Sequence, residues 1–165
     1  MTDQISINPI GIIHTPYREH ADLPIQGRFK PEVRGWVELD PEYEEGLQDL
    51  DGFSHAYLLY HFHESDRTVL KGQPFLEDEE HGIFAIRGPH RPNHIGISIV
   101  EVLEIEANRL TFTHVDMLDG TPLLDIKPYV THFDCFPSAR CGWIDRHFSN
   151  GQIPDATTKK GGTCE

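Results

Sequence analysis

The sequence predicts a mainly β protein: a single antiparallel β-barrel outside the Rossmann class, with one or two short helices and a flexible C-terminal tail. Three observations lead there. Six or seven segments are rich in β-branched and aromatic residues or alternate with period two, and a single segment has clear helical spacing. Strands and helices do not alternate along the chain, which argues against a doubly wound parallel sheet and for a barrel or strongly curved sheet. The chain has 165 residues, 38% of them hydrophobic, enough for one domain with its own core and too few for two.

In chain order, Ile5 to Thr15 reads as a strand, β-branched at Ile5, Ile7, Ile10, Ile12 and Ile13 and interrupted by Pro9 and Gly11. Val33 to Leu39 alternates with period two, as a half-buried strand does. Asp40-Pro41 then offers an N-cap and a first-turn proline, and Tyr43, Leu47 and Leu50 follow at helical spacing up to the Asp51-Gly52 turn. Phe53 to His63 is an aromatic strand. Glu64 to His81 is polar and acidic and reads as a loop excursion, and Gly82 to Arg87 as a short strand. Ile95 to Ile105 is the strongest strand signal, Asn108 marks a turn, and Leu110 to Leu118 continues as another strand. Residues 1–148 are therefore expected to form the barrel domain, and residues 149–165, polar and glycine-rich, a disordered tail.

Composition narrows the function. The net charge of −13 tells against a protein that holds nucleic acid through overall cationic charge. No apolar run approaches the ~18 residues of a membrane-spanning helix. The N-terminus has no basic flank or apolar core of a signal peptide. Cys135, Cys141 and Cys164 are odd in number and not spaced as a metal knuckle, so reduced thiols in the cytoplasm are expected.

Three polar, Gly/Pro-rich stretches between strands carry the candidate chemistry. In Arg87-Gly88-Pro89-His90-Arg91-Pro92-Asn93-His94-Ile95-Gly96-Ile97-Ser98, two arginines stand on stiff backbone, suited to bidentate capture of a carboxylate or phosphate, or to simple pairing with the protein's carboxylates. In the stretch from Asp116 to Tyr129, Asp119-Gly120-Thr121-Pro122 is a turn signature. Around that turn, Asp119, Thr121, Asp125, Lys127 and Tyr129 offer acceptors, a cation and a phenol within eleven residues. In the third, Phe53-Ser54-His55 runs to His61-Phe62-His63-Glu64, and His61 and His63 share one strand face, as does His55 if no bulge intervenes. Eleven histidines raise the question of a metal, but no H-E-x-x-H or cysteine pair is present and no metal is expected. Neither a glycine-rich phosphate loop nor a G-x-S-x-G elbow occurs.

At these stretches the sequence resembles the TrmO family, also called TsaA-like or YaeB-like proteins. The resemblance is carried by Ile10 to Tyr17, by Phe53-Ser54-His55 with the strand ending in Phe62-His63, by Gly82 to Arg87 followed by Arg91 to Ser98, and by Asp119 to Tyr129. It implies a β-barrel methyltransferase that binds S-adenosylmethionine (SAM) near a homodimer interface and methylates N6 of threonylcarbamoyladenosine at position 37, beside the tRNA anticodon. It also implies that SAM is contacted by Gln26, Gly27, His63, Glu64, Arg87, Ile97, Asp119, Gly120, Thr121 and Pro122. Arg91, Asn93 and Lys127 are then expected to meet the substrate. Asp125, Tyr129 and His63 are candidates for the base that removes the proton from the attacked nitrogen. Two departures stand out: His94 occupies the place of the family's usual second proline, and the resemblance is to the short form, expected to be without the C-terminal domain of longer relatives. Binding of tRNA would rest on a local patch of Arg28, Lys30, Arg34, Arg87 and Arg91. A small-molecule methyltransferase of the same fold and a non-enzymatic binding module are the alternatives.

Overall fold

The structure is a computed structural model that describes residues 4–148; the tail expected from Ser149 onward lies outside them. The strands are β1 (Gly11–His14), β2 (Arg34–Leu39), β3 (His55–His61), β4 (Lys71–Gly72), β5 (His81–Gly82), β6 (Ile95–Glu106), β7 (Arg109–Thr113) and β8 (Thr121–Pro128). Six of them close an antiparallel barrel in the order β1-β2-β7-β6-β3-β8, with β8 returning to β1, and β4 pairs only with β5. The expected barrel is thus present.

Period-two patterning sets the interior. Val37 and Leu39 on β2, Ala56, Leu58 and Tyr60 on β3, Val100 on β6, Leu110 and Phe112 on β7 and Leu123 on β8 all point into one core. Where the expected elements differ, local chemistry explains it. Of the first segment only Gly11–His14 is strand, with Ile10 bonded just ahead of it; Ile5 and Ile7, 83% and 55% exposed, bury too little apolar surface to hold the chain to the sheet. The expected helix after Asp40 is a 3₁₀ run, Pro41–Leu47. Asp40 makes no side-chain cap, Gly46 weakens an α-helix, and burial of Leu47 and Leu50 holds the chain to a tight path. The expected strand from Gly82 becomes a 3₁₀ turn, Ile83–Ala85, with Ile83 buried and Phe84 exposed. The strand expected to reach Leu118 stops at Thr113, since His114 adopts φ 66° and sends Val115, Met117 and Leu118 into the core. The α-helices among the described residues are single turns, α1 (Thr131–Asp134) and α2 (Asp145–Phe148).

One feature of the register positions the site. β6 is twelve residues long and pairs with β3 over residues 95–101 but with β7 only over residues 101–106. Its first half therefore has no barrel partner on the β7 side. The turn Gly27–Phe29 packs there instead.

Phe112 is fully buried at the centre of the core. Phe112→Ala is expected to lower stability by about 3–5 kcal/mol in urea unfolding, while Ile5→Ala stays within about 0.5 kcal/mol of the parent.

Candidate active site

Beside the uncovered half of β6 lies a cavity of about 150 Å³, lined by Gln26, Tyr60, Phe62, Arg87, Arg91, the residues from Ile95 to Ser98, and Asp116. Gly96 is required here: a Cβ would stand 2.3 Å from the Tyr60 ring, so glycine lets the aromatic lie against the strand. Tyr60 and Phe62 meet edge to face with centroids 5.3 Å apart. The Tyr60 hydroxyl bonds Ser98 Oγ at 3.1 Å, and the Ser98 hydroxyl in turn donates to Asp116 Oδ1. The second carboxylate oxygen, Oδ2, accepts the Gly27 N–H at 3.0 Å.

Burial pushes the Asp116 carboxyl up to about 6, against the opposing pull of the Ser98 and Gly27 hydrogen bonds and of the Arg87 charge. Burial, with the charge of Asp116, also pushes the Tyr60 phenol far above its ordinary value. Arg87 is exposed and donates from Nη1 to Gln26 Oε1 at 3.2 Å. Arg91 is half-buried and staples its own loop through Nη1 to the carbonyls of Ile86 and Gly88, at 3.1 and 3.3 Å. The result is a carboxylate floor and a guanidinium rim around two aromatic rings.

Of the residues expected to contact SAM, Gln26, Arg87 and Ile97 line this cavity. Gly27 lies behind it, where a Cβ would stand 1.8 Å from the His114 carbonyl oxygen. His63 follows Phe62 directly, and its Nε2 lies 4.0 Å from Glu64 Oε1, while Glu64 Oε2 pairs with His20 at 3.2 Å. Asp119 to Pro122 form the turn entering β8. Gly120 has φ 79°, and Thr121 is buried with its hydroxyl on the Leu118 carbonyl at 2.7 Å. Asp119 is held from the β1 side, by the Thr15 N–H at 3.2 Å and Arg18 at 3.1 Å.

Of the residues expected to meet substrate, Arg91 lines the cavity, Asn93 is exposed on the same loop, and Lys127 pairs with Asp125 at 2.9 Å on β8. Asp125 lies opposite Leu59 and lines a second, larger groove of about 450 Å³. That groove is floored by residues such as Leu39, Leu47 and Phe53 and edged by Glu42 and Asp49, a poor place for a carboxylate or phosphate. Tyr129 packs on His55 and Tyr57 at the start of β3, whereas the cavity lies at its end. Asp116 was not singled out by motif reasoning. An acid set between the buried Val115 and Met117 was its one sequence signal.

His94 adopts φ 48°, a backbone that the proline ring, locked near −65°, cannot take. Its carbonyl accepts the Phe62 N–H at 2.8 Å, so the loop in this chain is built around a non-proline residue. Among the described residues, one group could gather around a metal ion, Glu77, Glu79 and His81. Arg146 already reaches into it, with Nη2 2.7 Å from Glu77 and 3.4 Å from Glu79, and His147 holds the other Glu77 oxygen at 2.7 Å.

The barrel with its cavity at β6 defines the class: the chain belongs to the family of the tRNA-methyltransferase O N-terminal domain, whose model matches residues 12–135. A probable S-adenosyl-L-methionine-binding protein of Pyrococcus abyssi is 49% identical over 87% of this chain and 78% of its own length. The mouse tRNA (adenine(37)-N6)-methyltransferase is 39% identical over 76% of this chain, which spans 31% of that protein. A crystal structure of TrmO matches with a TM-score of 0.75 at 40% identity, covering 87% of this chain and 63% of the TrmO chain.

Two substitutions, each with a milder control, probe the loops that frame the cavity. Gly27→Ala is expected to cost a few kcal/mol in urea unfolding because the obstacle is backbone, whereas Gly82→Ala, which meets nothing, should be close to neutral. His94→Pro should lower the melting temperature by several degrees and His94→Gly much less, as differential scanning fluorimetry would show.

Proposed function

We propose that this chain is a SAM-dependent methyltransferase acting on N6 of threonylcarbamoyladenosine at position 37 of tRNA. The observation that carries the reading is the cavity itself, in a chain of this family: a buried carboxylate, exposed arginine and paired aromatic rings at the end of β3 and the start of β6. These groups match the parts of SAM. Arg87 has five N–H donors and gives one to Gln26, which leaves others for a carboxylate. The faces of Tyr60 and Phe62 suit a sulfonium or an adenine. The cavity is smaller than the roughly 300 Å³ of enclosed ligand sites, so SAM would extend beyond it.

Bound SAM would supply an electrophilic methyl group. This chain's residues must hold the acceptor nitrogen in line and take its proton, because a ureido-like nitrogen is a poor nucleophile while protonated. His63, one residue beyond cavity-lining Phe62 and beside Glu64, is the base we assign. Asp125 is engaged by Lys127, and Tyr129 stands at the other end of β3. Arg91 and Asn93 would face the substrate, with Arg28, Lys30 and Arg34 on the tRNA backbone.

A homodimer fits the outer wall. Leu59 lies opposite Ile97 and Tyr57 opposite Ile99, making an outward apolar patch in which Ile97 and Ile99 are 47% and 41% exposed. Among the described residues no helix is long and apolar enough to cross a membrane, and a tRNA substrate would place the protein in the cytoplasm.

Incubation with labelled SAM should transfer label to tRNA carrying the threonylcarbamoyl group and not to unmodified tRNA. Affinity for tRNA should fall steeply as salt is raised. SAM binding without label in any tRNA would support a small-molecule substrate instead, and absence of SAM binding would overturn the reading.

A further inference from the structure

We infer that Asp116 is a positioning residue of the methyl-donor site: its carboxylate fixes the Gln26–Gly27 turn against β6 and, through Gln26, sets the Arg87 guanidinium at the cavity rim. This rests on the methyltransferase reading above.

Asp116 stands where three parts of the fold meet. Oδ2 takes the Gly27 N–H at 3.0 Å from the 15–33 connection, and Oδ1 takes the Ser98 hydroxyl from β6, itself bonded to Tyr60 on β3. The turn cannot settle elsewhere by small adjustments, because Gly27 already lies where a single added carbon would strike the His114 carbonyl at 1.8 Å. The next residue back is Gln26, whose Oε1 accepts from Arg87 at 3.2 Å. A chain of contacts therefore runs from the barrel interior to the exposed arginine, with Asp116 as its anchor. A second sign of an unfilled polar role lies nearby: among the described residues the Tyr17 hydroxyl is the buried side-chain atom without a partner, and Tyr17 senses the Asp116 charge.

The groups acting on Asp116 are Arg87 from the 62–94 connection, Tyr60 from β3, Tyr17 and the Gly27 N–H from the 15–33 connection, and the Ser98 hydroxyl from β6. Only Arg87 among them carries charge at neutral pH. Protonation of Asp116 near pH 6 removes the charge that accepts both hydrogen bonds and faces Arg87. Donor binding should then be full above that pH and weaken below it. The stability trend from the same group has the opposite sign. Its native value is raised above the ordinary 3.8, so its contribution to stability grows as pH falls from about 6 toward 3.8.

Calorimetric titration with SAM tests this. Asp116→Asn should weaken SAM binding by about tenfold or more at about pH 8, as expected for losing hydrogen bonds to a charged acceptor, while kcat at saturating SAM changes less than about threefold. The affinity of the parent should fall as the pH is lowered from about 7 to about 5, through the Asp116 value, and that of the variant should not. Gln26→Ala should weaken binding in the parent and add little in the Asp116→Asn background, because both act through one contact chain. If Asp116→Asn fails to fold, Ser98→Ala, which removes one of the two carboxylate partners, should shift SAM affinity in the same direction and to a smaller extent. A parent that binds SAM and an Asp116→Asn or Ser98→Ala variant that binds it equally, with the same pH profile, would overturn the inference and leave the methyltransferase reading standing. A parent that binds no SAM would overturn that reading itself.

Discussion

A six-stranded barrel is too narrow to close without a large stagger between neighbouring strands, and β6 absorbs that stagger here. With its first half on β3 and its second half shared with β7, it leaves residues 95–100 with one barrel neighbour instead of two. A bare strand edge beside a core is a liability that the fold must cover. The 15–33 connection covers it with the Gly27–Phe29 turn, and the segment after His114 folds inward behind that turn. The cavity is the space left between edge and cover. Its lining comes from five separate parts of the chain because that many converge to solve one closure problem.

Charge follows the same geography. The acidic residues between Asp40 and Asp51 lie on the β2–β3 connection, at the end of the barrel opposite the 15–33 and 62–94 connections, and they edge the larger groove. The cavity's arginines come from the 62–94 connection. That connection is tied down by its own carboxylate hub. Partial burial of Glu77 works against its charge, but hydrogen bonds from His147 and His81 and the Arg146 charge prevail and hold its carboxyl below the ordinary value. Trp143 stacks on His81 at 4.8 Å and donates to the Ala85 carbonyl at 2.9 Å, so the C-terminal turns brace the loop that carries Arg87. A net charge of −13 is thus compatible with an arginine-lined mouth, since the field at a site depends on which charges lie within a Debye length of it.

Much of this was legible in the residues. Alternation at Val33 to Leu39 and Ile95 to Ile105 determined two strands and which side of each faces the core, because period two is a local property of extended backbone. The glycine, proline and arginine content of residues 87–98 marked an irregular, arginine-bearing loop leading into β6, and Gly120 marked a turn that needs positive φ. The joint motifs determined the family. What failed was local signal overridden by context. The run from Tyr43 to Leu50 has helical spacing, yet two buried leucines and a glycine hold it as 3₁₀ turns. The run past Thr113 stays apolar because it enters the core, not because it stays extended.

Tertiary structure alone decided which polar residues belong together. Asp116 and Asp125 are both aspartates flanked by apolar residues in the same motif, nine positions apart. One is buried against Gly27 and Ser98 beside the arginines, and the other sits on β8 paired with Lys127. No periodicity separates them, because the difference lies in strand register and in a cover supplied by residues 89 positions away. Register couples positions across the barrel, and sequence read along a single segment carries no record of that coupling.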